Sequence, residues 1–384
     1  MAPQALSRSQ GDFFLRGLTS DPPQRSDGRH LLAFRSLQID TSVAAQANGS
    51  SRITLGGTEI FCGIKAEVRS FGDDSDDEDE EAEFQTQDDQ ELAAEGRKTG
   101  RIKCSVDYSQ SLVHSFDSKV LDALSISLSS MVNSAFSPRS SPLPLHQLLI
   151  IANAKHWTIY IDLLVNSLSG GNLFDAAFAA IFAAFYDTRI PATRGVAFEA
   201  PATLDESGNA VQGAFANSQG DLDQMGIKGL LKKKPKTHAA GPANARSGPA
   251  SKVVDFELEH SGEDGAALDG RQDLPLCITV NVLPNSYLLD ADVDEEACVG
   301  ARVQVLATRS SKVLSVRTTG TEEISFKRIS EAIRIGSVQA ARLVDALLDQ
   351  LARSTGPEDE EEEEEEDAAD GVPAPAQASM DVDA

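Results

Sequence analysis

Apolar and polar residues alternate over residues 59–68 (EIFCGIKAEV), with the apolar side chains on one parity, as in a half-buried strand. Shorter strand-like runs precede it at 34–40 (FRSLQID) and 51–55 (SRITL), and Gly56-Gly57-Thr58 reads as a hairpin turn. A short helix is predicted over 8–20, and RSDGR (25–29) reads as a charged turn. Strand character resumes at 101–108. Over 116–135, Val120, Leu121, Leu124, Ile126, Leu128, Met131 and Val132 fall close to helical spacing. Two apolar runs, 147–152 and 157–165, flank Asn153-Ala154-Lys155-His156 and predict a hairpin, with Trp157 in the core. Residues 172–186 (NLFDAAFAAIFAAFY) are apolar on nearly every face, the signature of a helix buried mid-domain, and Pro191 bars its continuation. Further strands are predicted at 252–259, 276–283, 286–290, 302–308 and 312–318. A last helix follows, with Phe326, Ile329, Ile333, Ala340, Val344, Leu347 and Leu351 in one stripe.

The strands cluster in meanders instead of alternating strictly with helices. That order predicts an α+β fold with helices packed on mixed sheets, not a doubly wound parallel sheet. The predicted organisation is an N-terminal helical extension (1–24), a first half (25–200) with an acidic insert at 73–98, a flexible basic insert (201–251), a second half (252–354) and a disordered acidic tail (355–384).

Composition changes this picture in one respect. The formal net charge of −26 is local, because residues 73–95 and 358–384 each hold 13 acids and no Lys or Arg. Removing those 26 acids from the 60 leaves 34, equal to the 34 Lys and Arg of the chain. The body is formally neutral, and both acidic segments read as disordered. The four cysteines (Cys62, Cys104, Cys277, Cys298) lie far apart without a CxxC and read as buried or half-buried thiols. No run is apolar for the 18 or so residues of a membrane span, and the first residues lack a signal-peptide core. The expectation is a soluble, intracellular protein.

Candidate chemistry is sparse. Walker-type, GxSxG and HExxH motifs are absent, as are paired Cys/His spacings. The exception is NSLSGGNLFDA (166–176), where small residues open a helix. Free backbone N–H groups and the helix dipole at such a start can bind an anion, although most such turns are only turns. Phosphoryl transfer would also need a carboxylate and Arg or Lys to neutralise phosphates. Asp162 is the strand acid before the turn, Ser169 offers only a hydroxyl, and between Cys104 and Pro138 the sole base is Lys119.

Three blocks resemble the RNase PH family: RSDGR with 47–68, then 156–191, then 283–305. They occur in the family's order. The resemblance implies an RNase-PH-like fold (ribosomal protein S5 domain 2-like) of two similar halves. Active members are phosphate-dependent 3′→5′ exoribonucleases whose turn reads roughly Ala-Asp-Gly-Gly-Thr-Arg. Against that pattern the acid falls on Ser169, Gly170 and Gly171 are kept, and the Thr and Arg fall on Asn172 and Leu173. The Arg-rich phosphate-gripping helix corresponds to about 116–135, which lacks arginine. Asp162 is retained. The resemblance therefore implies a degenerate site in a non-catalytic ring subunit of the RNA exosome, supporting 3′→5′ RNA processing and decay. The alternatives are an active phosphorolytic enzyme, alone or completed by a ring partner, and a scaffold that never meets RNA.

The implied partners are another RNase-PH-like subunit as heterodimer partner, the remaining ring subunits, S1/KH cap proteins, a hydrolytic nuclease and single-stranded RNA in the channel. No cofactor, metal or membrane is expected. Lys65, Lys119, Arg139, Lys155 and Arg189 are candidate RNA contacts; each is otherwise a solvated charge or, for Arg189, a structural salt bridge. The run Lys232, Lys233, Lys234, Lys236 suits a nuclear import signal, and Ser75 suits an acidophilic kinase. Nuclear, nucleolar and cytoplasmic localisation is expected.

Overall fold

The computed structural model describes residues 7–71, 99–138, 140–152, 154–197, 203–204, 210–211, 253–258 and 265–354. The expected acidic insert and tail, Ser75, Arg139 and the 232–236 run lie outside the described residues.

The chain opens with α1 (Arg8–Thr19), started by a capping box in which Ser7 and Gln10 satisfy each other's backbone amides. A meander follows: β1 (Leu37–Thr41), β2 (Gly49–Leu55) and β3 (Thr58–Ser70). The β2–β3 register pairs Leu55 with Thr58, so Gly56-Gly57 is a two-residue turn; Gly56 takes a φ of 62° that disfavours a side chain. Next come β4 (Arg101–Tyr108), α2 (Gln110–Ser115), α3 (Ser118–Ala135), β5 (Leu149–Ile151) and β6 (Lys155–Ser167). The sheet order is β1-β2-β3-β6-β4, with β5 also on β6. All its pairings are antiparallel except β4 with β6, because α2 and α3 carry the chain back across the sheet before β6 begins.

After β6 the chain enters α4 (Leu173–Asp187), then β7 (Arg189–Pro191), β8 (Thr193–Ala197), β9 (Thr203–Leu204), β10 (Ala210–Val211), β11 (Val253–Leu258) and β12 (Gly265–Ala267). The second sheet, ordered β14-β13-β15-β16, comprises β13 (Leu276–Val282), β14 (Tyr287–Leu289), β15 (Ala301–Ala307) and β16 (Val313–Gly320), with α5 (Val293–Cys298) before β15. α6 (Phe326–Ser354) closes the fold against β13 and β15.

Two compact units emerge: residues 1–191 with 264–384, and residues 192–263. In the smaller unit β8 pairs with β11 and β9 with β10, both antiparallel. The larger unit holds both main sheets, and α4 lies between them, against β2 and β3 on one side and β13 on the other. That position explains its composition. Every residue from Leu173 to Phe185 except Phe174 is buried, and alanines alternate with Phe178, Phe182 and Phe185 so that two sheets can approach one helix.

The α6 stripe differs from expectation at its start. Phe326 is 83% exposed, whereas Ala332, Ala340, Val344, Leu347 and Leu351 are buried. Phe326 is the first residue of the helix and precedes the turn that reaches β15. Gly336 joins the buried face, since a Cβ there would sit 2.8 Å from Val305 Cβ. The predicted 116–135 helix is present as α3, starting at Ser118 after its Asp117 cap, and the short α2 before it was not predicted. All four cysteines are free, two buried and two half-buried.

Candidate functional site

The Gly-Gly turn sits where β6 hands over to α4, against the β2–β3 hairpin turn. A Cβ on Gly170 would lie 2.6 Å from Gly57 N and 2.8 Å from Arg35 Nη1; one on Gly171 would lie 2.5 Å from Leu55 Cγ. Neither position has room for a side chain, so the glycines are there for the approach of two backbones. Gly171 N–H donates to Leu55 O at 3.2 Å, and Thr58 Oγ1 donates to Gly171 O at 2.8 Å.

The helix start is closed by its own cap, as in a turn that is only a turn. Asn172 Oδ1 accepts from Phe174 N (3.0 Å) and Asp175 N (3.4 Å). Those amides would otherwise have been offered to an anion. The same oxygen accepts from Thr279 Oγ1 at 3.2 Å, fixing the cap to β13.

Asp175, one turn in, is buried, and its Oδ1 accepts from Thr279 N (2.9 Å) and Thr279 Oγ1 (2.8 Å). Burial pushes its carboxyl well above the usual range. The Asp290 and Glu296 charges add to this, outweighing the Thr279 hydrogen bonds that pull it down. Glu296 is also raised by burial, against the pull of Arg302, whose Nη1 lies 2.7 Å from its Oε1. The helix start is therefore flanked by carboxyl groups, one of which, Glu296, already holds Arg302.

Arginines are present nearby, but each faces carboxylates. Arg25 donates bidentately to Glu295 (3.2 and 2.8 Å), and both side chains are buried. Arg29 Nη1 and Arg35 Nε converge on Asp290 Oδ2 at 2.7 and 2.9 Å. The charged turn at 25–29 is thus a clamp between the first segment of the chain and the β14–α5 connection. Asp27 accepts from Arg29 Nε at 2.5 Å; burial would raise its pKa, but hydrogen bonds from Arg29 and the charges of Arg25 and Arg29 hold it below the ordinary value.

Beside the turn lies a cavity of about 480 Å³, lined by Ser111, Leu112, Ser115 and Phe116, by 166–169, and by Asp292, Val293 and Asp294. None of these is Lys, Arg or His. Ser169, the position of the missing acid, lines it, and its hydroxyl donates to Gly57 O at 2.9 Å. Asp162 is not in the lining. Strand parity puts it on the exposed face of β6, where Ser105 Oγ donates to its Oδ1 at 2.6 Å. Asp162 and the turn residue Ser169 thus have different surroundings.

The candidate RNA contacts are dispersed. Lys65 is on β3, 3.1 Å from Glu67; Lys119 is exposed in the first turn of α3; Lys155 is half-buried at the start of β6. Arg189 is exposed on β7, where its backbone exchanges hydrogen bonds with Asn48; no salt bridge of its guanidinium occurs among the described residues. The thiols offer no nucleophile: burial pushes Cys62 and Cys277 well up and Cys104 to about 12, and Cys298 is raised too. Among the described residues no group of three or more His, Cys, Asp or Glu could hold a metal ion, and no helix is long and apolar enough to cross a membrane.

Comparison with known proteins gives a consistent result. Residues 33–191 match the RNase_PH family, described as 3′ exoribonuclease family, domain 1. A Dictyostelium discoideum protein whose name includes "exosome complex exonuclease RRP42" is 21% identical over 90% of this chain and 97% of its own. The "Exosome complex component Rrp42" of Methanothermobacter thermautotrophicus is 35% identical, over 44% of this chain and 54% of its own. Among solved structures, a chain of an Archaeoglobus fulgidus exosome with RNA bound to the active site superposes with a TM-score of 0.56 at 18% identity, covering 88% of this chain and 97% of that one. An archaeal exosome core chain gives 0.53 at 18%, covering 88% and 96%. The fold is RNase-PH-like, as the sequence blocks implied.

Proposed function

With residues 33–191 matching the RNase PH family, the protein is, we propose, a member of that family and a ring subunit of an RNA exosome that does not itself phosphorolyse RNA. The ring assignment is supported by relatives named as exosome components that align over most of both chains. Its partners in this reading are other RNase-PH-like subunits, one of them in a heterodimer, with S1/KH cap proteins, a hydrolytic nuclease and RNA threaded through the ring. Lys65, Lys119, Lys155 and Arg189 are the described residues offered for phosphate contact, each adding attraction that weakens with salt. Work in the nucleus, the nucleolus and the cytoplasm follows from the same reading.

One observation carries the non-catalytic half of the proposal. The cavity beside the turn has acids and hydroxyls on its walls and no cation. Attack of phosphate on an RNA linkage brings two anions together, and the transition state needs positive charge aimed at it. Ser169 supplies neither an acid nor a charge, and Asn172 has taken two helix amides for itself.

The assay is phosphorolysis of single-stranded RNA with inorganic phosphate and magnesium, by the chain alone and in its reconstituted ring. No nucleoside diphosphate from the chain alone is expected, with RNA protected by the ring. Release by the chain alone would bear out the exonuclease in the Dictyostelium relative's name and overturn this reading.

A further inference from the structure

The cavity beside Ser169 is not merely a site with its cations removed. Its side chains offer mostly acceptors. Ser115 Oγ donates its proton to Ser111 O (2.7 Å), and Ser167 and Ser169 both donate to Gly57 O (2.8 and 2.9 Å). The Asn166 amide group donates to Glu59. What the three hydroxyl oxygens and the Asn166 carbonyl still hold is lone pairs, beside one remaining N–H of the Asn166 amide. Asp292 and Asp294 add carboxylates. The Asp294 carboxylate is exposed and forms no ion pair among the described residues. The remaining walls are apolar, from Leu112, Phe116, Leu168 and Val293.

Acceptors, unpaired negative charge and an apolar wall with an aromatic ring are complementary to one kind of group. A phosphate brings only acceptors and negative charge and meets two carboxylates and no cation. A guanidinium brings five N–H donors in a plane, a positive charge and a three-methylene stem that lies well on apolar surface. We propose that this cavity is a receptor for an arginine side chain presented by a neighbouring protein, so that the relic of a phosphate site serves as a protein-docking site. The inference rests on the reading that the turn performs no phosphorolysis.

The geometry constrains the occupant. The polar groups come from α2, the β6–α4 turn and α5, so the fork would be held from three sides, with Phe116 among the apolar walls. A neutral side chain of the same shape would keep the packing and lose the charge.

The test uses the full chain and ligand-observed NMR with acetyl-Gly-Arg-Gly-amide as probe. Its citrulline counterpart, of equal shape and no charge, and inorganic phosphate are the comparison arms. Saturable binding of the arginine peptide is expected, with none of citrulline or phosphate. Asp294→Asn, an exposed change, should weaken it roughly fivefold, the size of one exposed ion pair. Ser111→Arg, which supplies the side chain from within, should abolish it. Equal binding of arginine and citrulline peptides, no binding of either, or binding insensitive to both substitutions would overturn the proposal. So would phosphate competing with the arginine peptide. The phosphorolysis assay on the same preparation separates the two readings: an inactive chain that ignores the arginine peptide loses only the docking inference, whereas an active chain loses both.

Discussion

Asp290 and Asp175 are both buried, and the charge of one is felt by the other, yet they serve opposite ends. Asp290 has two guanidinium groups and the Arg35 amide on one oxygen and locks the N-terminal loop to the second sheet. Asp175 has no guanidinium and accepts instead from the amide and hydroxyl of Thr279; one oxygen of each carboxyl has no hydrogen-bond partner among the described residues. The difference shows where the chain has placed its arginines. Arg25, Arg29 and Arg35 hold distant segments together, and among the described residues no arginine lines the cavity where an anion would need one.

Removing Arg25 breaks the paired region most severely, because Glu295 then stays buried without a counter-charge. Arg25→Ala should cost about 3–5 kcal/mol in chemical denaturation. A loss below 1 kcal/mol would show that the clamp is not buried as described. The turn comes next: Gly171→Ala puts a Cβ against Leu55 and should cost about 1–3 kcal/mol. A neutral result would mean the hairpin and the helix start are not in contact. Asn172→Ala loses the cap and should cost about 1 kcal/mol, read in the same melts.

The smallest effect on stability, and the most diagnostic, is at Asp175. Its folded pKa is raised, so as pH climbs past the ordinary carboxylate value the unfolded chain gives up this proton first. Wild-type stability then falls with rising pH until the folded pKa is reached. Asp175→Asn has no proton to lose. Urea melts should place the variant within about 1 kcal/mol of wild type near pH 4 and show it gaining on wild type as pH rises. A variant that loses ground with pH would indicate that Asp175 is ionised in the fold.

Much of this arrangement was legible before the structure. The all-apolar run at 172–186 required cover on every side, which the two sheets provide, and the GGT turn fixed the β2–β3 hairpin. The closing of the helix start was legible too: Asn172 with an acid three residues on is the pattern of a capped helix. Parity could also have placed Asp162, since Ile159, Ile161, Leu163 and Val165 share the buried face that it does not. The clamp was not legible. Arg25 and Glu295 are 270 residues apart in sequence, and no local pattern says which of the chain's acids an arginine will meet. Nor could composition reveal that the hydroxyls around Ser169 turn their protons away from the cavity, because that depends on the carbonyl of Gly57 lying beneath them.

The most direct test of the central claim, that this helix start no longer holds phosphate, is the 31P signal of inorganic phosphate titrated with the purified chain. The account predicts no saturable broadening, for wild type and for Asn172→Ala alike, because capping is only one of the obstacles and the acidic surroundings remain. Saturable broadening of the wild-type sample that is competed away by RNA would contradict it.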